Sequence, residues 1–279
     1  MKSFRPFQAA GRLSRRAWLY LSASILAGLA ACGLNIYSVD QDASLGKQMD
    51  QEIRSTPSQY PILNNESVRG YVQGVVNKII QSPAIKYRGK FPYTVTIIND
   101  DRTVNAFCTP GGYIYVYTGL LKFIDNEATL AGIVGHEIAH AEERHGTKHM
   151  TQALGADIAM QIALGNSPGQ LEQIAGNAAV LLATLRNSRS DEMDADTKSF
   201  EYLRSTPYYP GSIQFFFKKM VDAQGSRTPS KLEEWTSTHP TSQERFDNIN
   251  NLLKSSNTPP PTSANLFTDN YRSMLSRLR

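Results

Sequence analysis

The segment GHEIAHAEERH, from Gly135 to His145, contains residue types that bind and use a metal ion. Each residue of a helix turns by about 100°, so His136 and His140 lie about 40° apart on one face, one turn from each other. Two neutral imidazoles there can bind one zinc ion, and the flanking carboxylate of Glu137 can take a proton from an activated water. The spacing therefore predicts metal-assisted attack on a carbonyl, with Glu137 as general base and then general acid.

An ordinary surface helix with unrelated histidines is the alternative. The residues around the motif favour a buried helix instead, because four of them are apolar: Leu130, Ile133, Val134 and Ile138. On a straight helix, His145 and His149 lie about 180° and 220° from His136. We therefore expect both to face away from the metal, with His145 in a structural or supporting role and His149 in solvent near the helix end.

A hydrolytic zinc site needs a third protein ligand and one open position for water. Glu143 lies on the same face, but it follows the motif so closely that its side chain would have to fold back. The segment SRSDEMDAD, residues 188–196, is the better source, because Glu192 and Asp196 are four residues apart and share a helix face. One can bind the metal while the other accepts a hydrogen bond from a ligand histidine. A solvated acidic helix start is the alternative.

The patterns around these residues predict an α+β fold that is mainly helical. Helical spacing of apolar residues, with good helix formers, is found in residues 45–53, 67–80, 126–149 and 211–221. Alternation and β-branched residues predict strands in residues 91–100 and 105–121, with Pro110-Gly111-Gly112 as the turn. A proline-rich linker, residues 256–265, and an amphipathic helix, residues 266–279, follow. Residues 163–170 are either a lid over the cleft or a plain connector.

The basic charge of the chain is concentrated in its first residues. The 279 residues have a formal net charge of +4 and a pI near 9.0. Residues 1–31 contain five basic residues and no acidic one, so the rest holds 24 basic and 25 acidic residues. Removal of the leader would remove the basic pI, and with it the electrostatic argument for a nucleic-acid partner.

The leader has the form of an export signal. A basic stretch precedes the largely apolar residues 17–31, which are too few for a spanning helix and end in small residues. Cys32 then follows Leu29-Ala30-Ala31, which resembles the bacterial lipobox, where the cysteine is acylated and becomes the first mature residue. We therefore expect a signal peptide over residues 1–31, a lipid on Cys32 and a tether over residues 32–44. A plain secretory signal is the alternative, and a twin-arginine route is open.

Lipidation would determine both the location of the protein and the state of its second cysteine. Cys108 would have no disulfide partner, and we expect it to be a small buried apolar residue. The lipid would hold the protein at the bacterial cell envelope, facing the periplasm. Gly33 after the cysteine favours the outer membrane by resemblance to enteric lipoproteins.

Three segments resemble, in their order, a known family of zinc metallopeptidases: HEIAH, SRSDEMDAD and STHPTSQER, residues 237–245. This family includes the HtpX heat-shock protease, the CAAX prenyl endopeptidase and bacterial outer-membrane quality-control proteases. The resemblance implies a zincin-type (gluzincin) domain over residues 45–255, with a short sheet flanking the active-site helix. It implies one Zn²⁺ per chain, bound by His136, His140 and Glu192, with Asp196 supporting the site.

The resemblance also implies roles for two residues of the last segment. His239 would help to stabilise the oxyanion, and Arg245 would orient the neighbouring carboxylates. An edge strand within residues 105–117 would receive an extended polypeptide by strand addition.

The expected activity is that of a zinc-dependent endopeptidase that cleaves misfolded or misassembled envelope proteins. One alternative is a lipid-anchored chaperone or assembly factor that uses the zinc domain mainly for binding. Another is a zinc hydrolase of non-protein amides, since the same activated water attacks any suitable carbonyl. Glu137 favours catalysis over pure binding, because a binding protein needs no base beside the metal.

Overall fold

The computed structural model of the protein describes residues 35–153, 187–224, 233–240 and 243–278. Its first part contains three strands among helices: α1 (Val39–Ser55), α2 (Glu66–Ile79), β1 (Thr94–Ile98), β2 (Ala106–Thr109), β3 (Tyr113–Tyr117), α3 (Thr118–Phe123), α4 (Glu127–Glu142) and α5 (His145–Ala153). Helices follow: α6 (Arg189–Leu203), α7 (Ile213–Gln224), α8 (Glu233–Thr238), α9 (Gln243–Ser255), α10 (Ser263–Leu266) and α11 (Thr268–Leu275). The predicted mainly helical α+β class is confirmed.

The sheet has the strand order β1-β3-β2, so β2 lies at one edge. β1 runs parallel to β3, whereas β2 runs antiparallel to it, with Phe107 opposite Tyr115. The turn from β2 to β3 requires glycine, because Gly111 has a φ of 75° and a Cβ there would lie 2.8 Å from the Cα of Ala43. The predicted extended run is therefore a hairpin, and α1 packs against its turn.

Helix α4 forms the centre of the molecule, and all 16 of its residues are buried. It packs against α2, α6, α7 and the sheet. Its contact with α6 is close, since a Cβ on Gly135 would lie 2.6 Å from Ser199 Oγ. The same hydroxyl donates a 2.8 Å hydrogen bond to the carbonyl of Gly132. The small residues Gly135 and Ser199 thus let α4 and α6 lie close enough for their side chains to meet at one point.

The prediction of one helix from residue 126 to His149 is wrong. The helix ends at Glu142, and Arg144 has a φ of 59°, in the left-handed region that a helix cannot contain. Helix α5 begins at the next residue, His145. The chain therefore changes direction directly after the motif.

The predicted tether also ends earlier than residue 44. Ser38 caps α1 through a reciprocal pair of hydrogen bonds with Gln41, so the helix begins at Val39. Tyr37, only 2% exposed, and Asp42, only 1% exposed, are packed into the protein. The chain is thus folded from a point only a few residues after Cys32. Cys32 itself, the predicted signal peptide and the possible lid lie outside the described residues.

The C-terminal segment docks on the body. Residues 258–262 belong to no helix or strand, and two short helices follow, separated by Phe267 with a φ of 53°. Tyr271 and Met274 are fully buried, and Tyr271 Oη donates a 2.6 Å hydrogen bond to the carbonyl of Leu121. Across the described ranges, no helix is both long and apolar enough to cross a membrane.

Candidate metal centre

Helix α4 brings two imidazoles of the HEIAH motif to one point. His136 is fully buried and His140 is 7% exposed. Their Nε2 atoms lie 3.0 Å apart. The helical spacing that suggested a shared metal therefore produces the expected convergence of two nitrogen atoms.

The first turn of α6 adds a carboxylate. The Oε2 atom of Glu192 lies 3.4 Å from His136 Nε2, and its Oε1 atom lies 3.4 Å from His140 Nε2. Ser188 caps the helix, which places Glu192 in the first turn, where the helix dipole favours a negative charge. Glu192 and Asp196 are both fully buried, so the alternative of a solvated acidic helix start is wrong.

His239 supplies a fourth atom from a segment more than forty residues further along the chain. Its Nδ1 lies 3.0 Å from Glu192 Oε1 and 3.4 Å from His136 Nε2. The ring stacks on Trp235 with 4.4 Å between centroids. Only the resemblance pointed to His239, since no local spacing connects it to the motif, and the structure places it among the candidate ligand atoms.

The four side chains fit a divalent metal ion. Tetrahedral zinc with bonds of about 2.0–2.1 Å separates its ligand atoms by about 3.3–3.4 Å. The separations between the nitrogen and oxygen atoms of His136, His140 and Glu192 are 3.0 to 3.4 Å. Facing lone pairs repel one another unless a cation lies between them. Two histidines and a glutamate suit zinc best, although other divalent ions accept the same donors.

A buried ion pair supports His136 and Glu192. Asp196 Oδ1 lies 2.9 Å from His136 Nδ1. Arg245, 1% exposed, contacts both Asp196 oxygens at 2.7 and 2.8 Å, and its Nη1 lies 2.6 Å from Glu192 Oε2. Burial raises the pKa of Asp196, but Arg245 and His136 outweigh it, so this pKa lies below its ordinary value. The arrangement keeps Asp196 ionised and fixes the ring of His136.

Glu137 lies beside the candidate ligands with one carboxylate oxygen available. It is 1% exposed, and burial raises its pKa more than the nearby His239 and His136 lower it. Its Oε1 has no hydrogen-bond partner within the described part of the chain and lies 3.6 Å from His239 Nε2. A raised pKa makes this carboxylate a stronger base than one in water.

A cavity of about 140 Å³ opens beside Glu137 and His140. It extends along the edge strand β2 toward helix α1. Its far wall is formed mainly by apolar and aromatic side chains: Met49, Ile53, Tyr60, Phe107 and Tyr117. Cys108, also on this edge, is free, and it packs against the hydrophobic core as expected, although it is only partly buried.

The expectations that His145 faces away from the metal ligands and that His149 lies in solvent are wrong, whereas the supporting role expected of His145 agrees with its position. The Nδ1 atom of His145 lies 2.9 Å from that of His140. His149 Nε2 lies 2.9 Å from Asp191 Oδ2, and its side chain is only 16% exposed. Both differences follow from the break at Arg144, because the expected angles hold only for a straight helix.

The fold and the His/Glu cluster together define a zincin-like metallopeptidase site. The sequence profile of peptidase family M48 matches residues 66–253, which is more than half of the chain. The chain therefore belongs to peptidase family M48.

Curated relatives carry names that agree with this assignment. The chain is 25% identical to the beta-barrel assembly-enhancing protease of Escherichia coli K12 over 239 residues, which is 82% of this chain and 47% of that protein. It is 26% identical to the mitochondrial metalloendopeptidase OMA1 of Schizosaccharomyces pombe, covering 82% of this chain and 66% of that protein. It is 30% identical to metalloprotease LoiP of Escherichia coli K12, covering 54% and 60%. The chain spans about half the length of the beta-barrel assembly-enhancing proteases.

Proposed function

We propose that the protein is a zinc-dependent endopeptidase that cleaves misfolded or misassembled proteins of the bacterial envelope. The main support for this proposal is the convergence of His136, His140 and Glu192 in a buried cluster, with Glu137 beside it. Bound zinc would supply Lewis acidity to water and to the scissile carbonyl. Membership of a metallopeptidase family supports the use of that chemistry on peptide bonds.

The side chains around the metal would divide the remaining work. Glu137 takes a proton from the attacking water and later gives it to the leaving amine, for which its raised pKa is suited. Asp196 and Arg245 hold His136 and Glu192 in place, so these ligands need not reorganise during the reaction.

With zinc held by His136, His140 and Glu192, His239 would have to leave its present position for a peptide to bind. A catalytic zinc site keeps one position open, and His239 Nδ1 lies at 3.0 and 3.4 Å from two other candidate ligand atoms. Movement of His239 would leave this position to water and the scissile carbonyl. The ring would then be free to face the oxyanion, the role that the resemblance implies.

The edge of the sheet supports an extended substrate. A peptide that added to β2 would alternate its side chains above and below the sheet. Side chains on the α1 side would meet the apolar wall that includes Ile53, Tyr60 and Phe107. Misfolded proteins expose extended apolar segments that folded ones bury. The cavity therefore favours unfolded chains as substrates.

A lipid on Cys32 would place this cleft at the membrane surface. Folded structure begins by residue 35, three residues later, and an extended chain spans at most about 3.6 Å per residue. The body would then lie within about 11 Å of the anchor by the same measure. The proposed location is the periplasmic side of the outer membrane, and the name of the Escherichia coli relative supports a role there.

The test compares the purified full chain with its Glu137→Gln variant for zinc content and cleavage of casein. We expect one equivalent of zinc in both proteins and cleavage only by the wild type. Zinc in both without cleavage by either would favour the chaperone alternative. Equal cleavage by both proteins would contradict the assigned mechanism.

A further inference from the structure

The Nδ1 atom of His140, the second candidate ligand histidine, faces another histidine rather than a carboxylate. Its Nδ1 lies 2.9 Å from His145 Nδ1, and the two rings are 5.0 Å apart between centroids. His145 is 3% exposed. Its Nδ1 faces His140 and not the cluster of candidate ligand atoms, of which His145 is not a member.

The chemistry of two facing nitrogens fixes where the protons lie. His140 presents Nε2 to the other donors, 3.4 Å from Glu192. To bind a metal through Nε2, neutral His140 must carry its proton on Nδ1. Only a bare Nδ1 on His145 can accept that proton in a hydrogen bond. His145 must then carry its own proton on Nε2.

Two carboxylates lie where that second proton would point. His145 Nε2 is 3.5 Å from Asp191 Oδ1 and 3.5 Å from Asp194 Oδ2. Both acids belong to the first turns of α6, the helix that also provides Glu192. Negative charge at this point favours a proton on Nε2 of His145 and so leaves its Nδ1 bare.

The break between α4 and α5 is what makes this contact possible. On a continuous helix, His145 would lie about 140° around from His140. The left-handed backbone conformation of Arg144 brings His145 back to the side of His140. Arg144 is held by Asp42, with Nε to Oδ2 at 2.5 Å and Nη2 to Oδ1 at 3.1 Å, and it also donates to the carbonyl of Tyr37.

We propose that His145 is a positioning residue that fixes the tautomer and ring orientation of the metal ligand His140, and that Asp42 and Arg144 hold it there. The proposal rests on the metal site of the proposed function. It assigns a role to the N-terminal segment, which contacts the end of the active-site helix rather than serving only as a tether. Supporting residues of this kind change metal affinity or activity by about 10–100-fold.

The test uses two substitutions of similar shape, one with a hydrogen-bond acceptor and one without. His145→Asn places an amide oxygen near the position of Nδ1 and keeps an acceptor, whereas His145→Leu has similar bulk and no acceptor. We expect zinc affinity, measured by chelator competition on the full chain, to fall about 10–100-fold in His145→Leu and by less than about threefold in His145→Asn. The visible spectrum of the cobalt-substituted protein should change only in the leucine variant.

Lys148→Leu is the matched control. Lys148 lies on the same helix as His145 and is half-buried, and the proposal gives it no part in holding His140 or His145. We expect its zinc affinity to equal that of the wild type. Equal zinc affinity and equal cobalt spectra in His145→Leu and the wild type would overturn the proposal.

A measurement on the unmodified protein covers the case in which His145→Leu fails to fold. Imidazole ¹⁵N spectra of the zinc-loaded wild type should show His145 as the neutral tautomer protonated on Nε2. Protonation on Nδ1 would overturn the proposal, because that nitrogen could not accept from His140. Zinc affinity, cobalt spectra and ¹⁵N spectra do not depend on proteolysis. A protein that binds zinc but cleaves nothing would therefore contradict the peptidase function, and the role of His145 could still be tested.

Discussion

The two histidines of the HEIAH motif are supported in different ways. His136 contacts Asp196, which is paired with the buried Arg245. His140 contacts His145, which lies after a break in the chain held from the N-terminal segment. The first support is a fully buried ion pair between neighbouring helices. The second depends on an unusual backbone conformation, so the two sides of the metal site should differ in how substitutions affect them.

Removal of the positive charge on the His136 side should have the largest effect. Arg245→Leu would leave the carboxylates of Asp196 and Glu192 buried without their cation. Loss of one partner of a buried pair costs about 3–5 kcal/mol of the free energy of unfolding. Urea denaturation of the metal-free protein measures this loss.

Zinc should restore part of the stability lost in Arg245→Leu, because a divalent cation also compensates the charge of Glu192. Arg272→Leu, on a side chain that is 73% exposed, is the control and should change stability by less than about 0.5 kcal/mol. Equal stability of Arg245→Leu and the wild type would show that this pair does not support the site.

Removal of the charge on the His140 side should have a smaller effect. Asp42→Asn removes the charge that pairs with Arg144, whose side chain is 16% exposed and so keeps some contact with water. A hydrogen bond to a charged group contributes about 1.5–3 kcal/mol, so we expect a loss in that range by urea denaturation.

Zinc affinity should fall as well in Asp42→Asn, but less than in His145→Leu, since the substitution acts through Arg144. The matched control is Asp40→Asn in the same helix, whose carboxylate is 83% exposed and 3.4 Å from Lys90. If both asparagine variants bind zinc like the wild type, the break does not depend on Asp42.

The pair of His149 and Asp191 should have the smallest effect. The hydrogen bond that His149 donates to Asp191 raises the pKa of His149 above its ordinary value, against burial and the nearby Lys148, and His145 faces the same carboxylate. Because the pKa is raised, the pair stabilises the protein fully at a pH below the pKa of His149 in the unfolded chain, which is about 6.5. This contribution is lost as the pH rises through the folded pKa.

We therefore expect His149→Gln to be less stable than the wild type at pH 5.5 by under about 1 kcal/mol, and equal to it at alkaline pH. Thermal unfolding at a series of pH values measures the difference. A difference that grew with pH would contradict the assigned direction of the shift.

The same two regions show how much of the site could be predicted from the sequence. His136, His140, Glu192 and Asp196 came from spacings of four residues, since regular helices turn those spacings into shared faces. The break at Arg144 could not be predicted this way, because arginine has no preference for the left-handed region. Its partner Asp42 is 102 residues away in the chain, so no local pattern connects the two.

The small sheet and the position of His239 show the same limit. The turn at Pro110-Gly111-Gly112 was predicted, because glycine marks positive φ values. The parallel pairing of β1 with β3, and the approach of His239 to Glu192, depend on packing between distant segments. Only the resemblance to a known family pointed to His239.

The central claim is that one metal ion bound by His136, His140 and Glu192 makes this protein a peptidase. The most direct test is a titration of zinc into the metal-free full chain, with the rate of casein cleavage followed at each addition. We predict no cleavage without metal, a linear rise up to one equivalent and no further rise beyond it. Cleavage by the metal-free protein, or a zinc-saturated protein that cleaves no peptide, would contradict the claim.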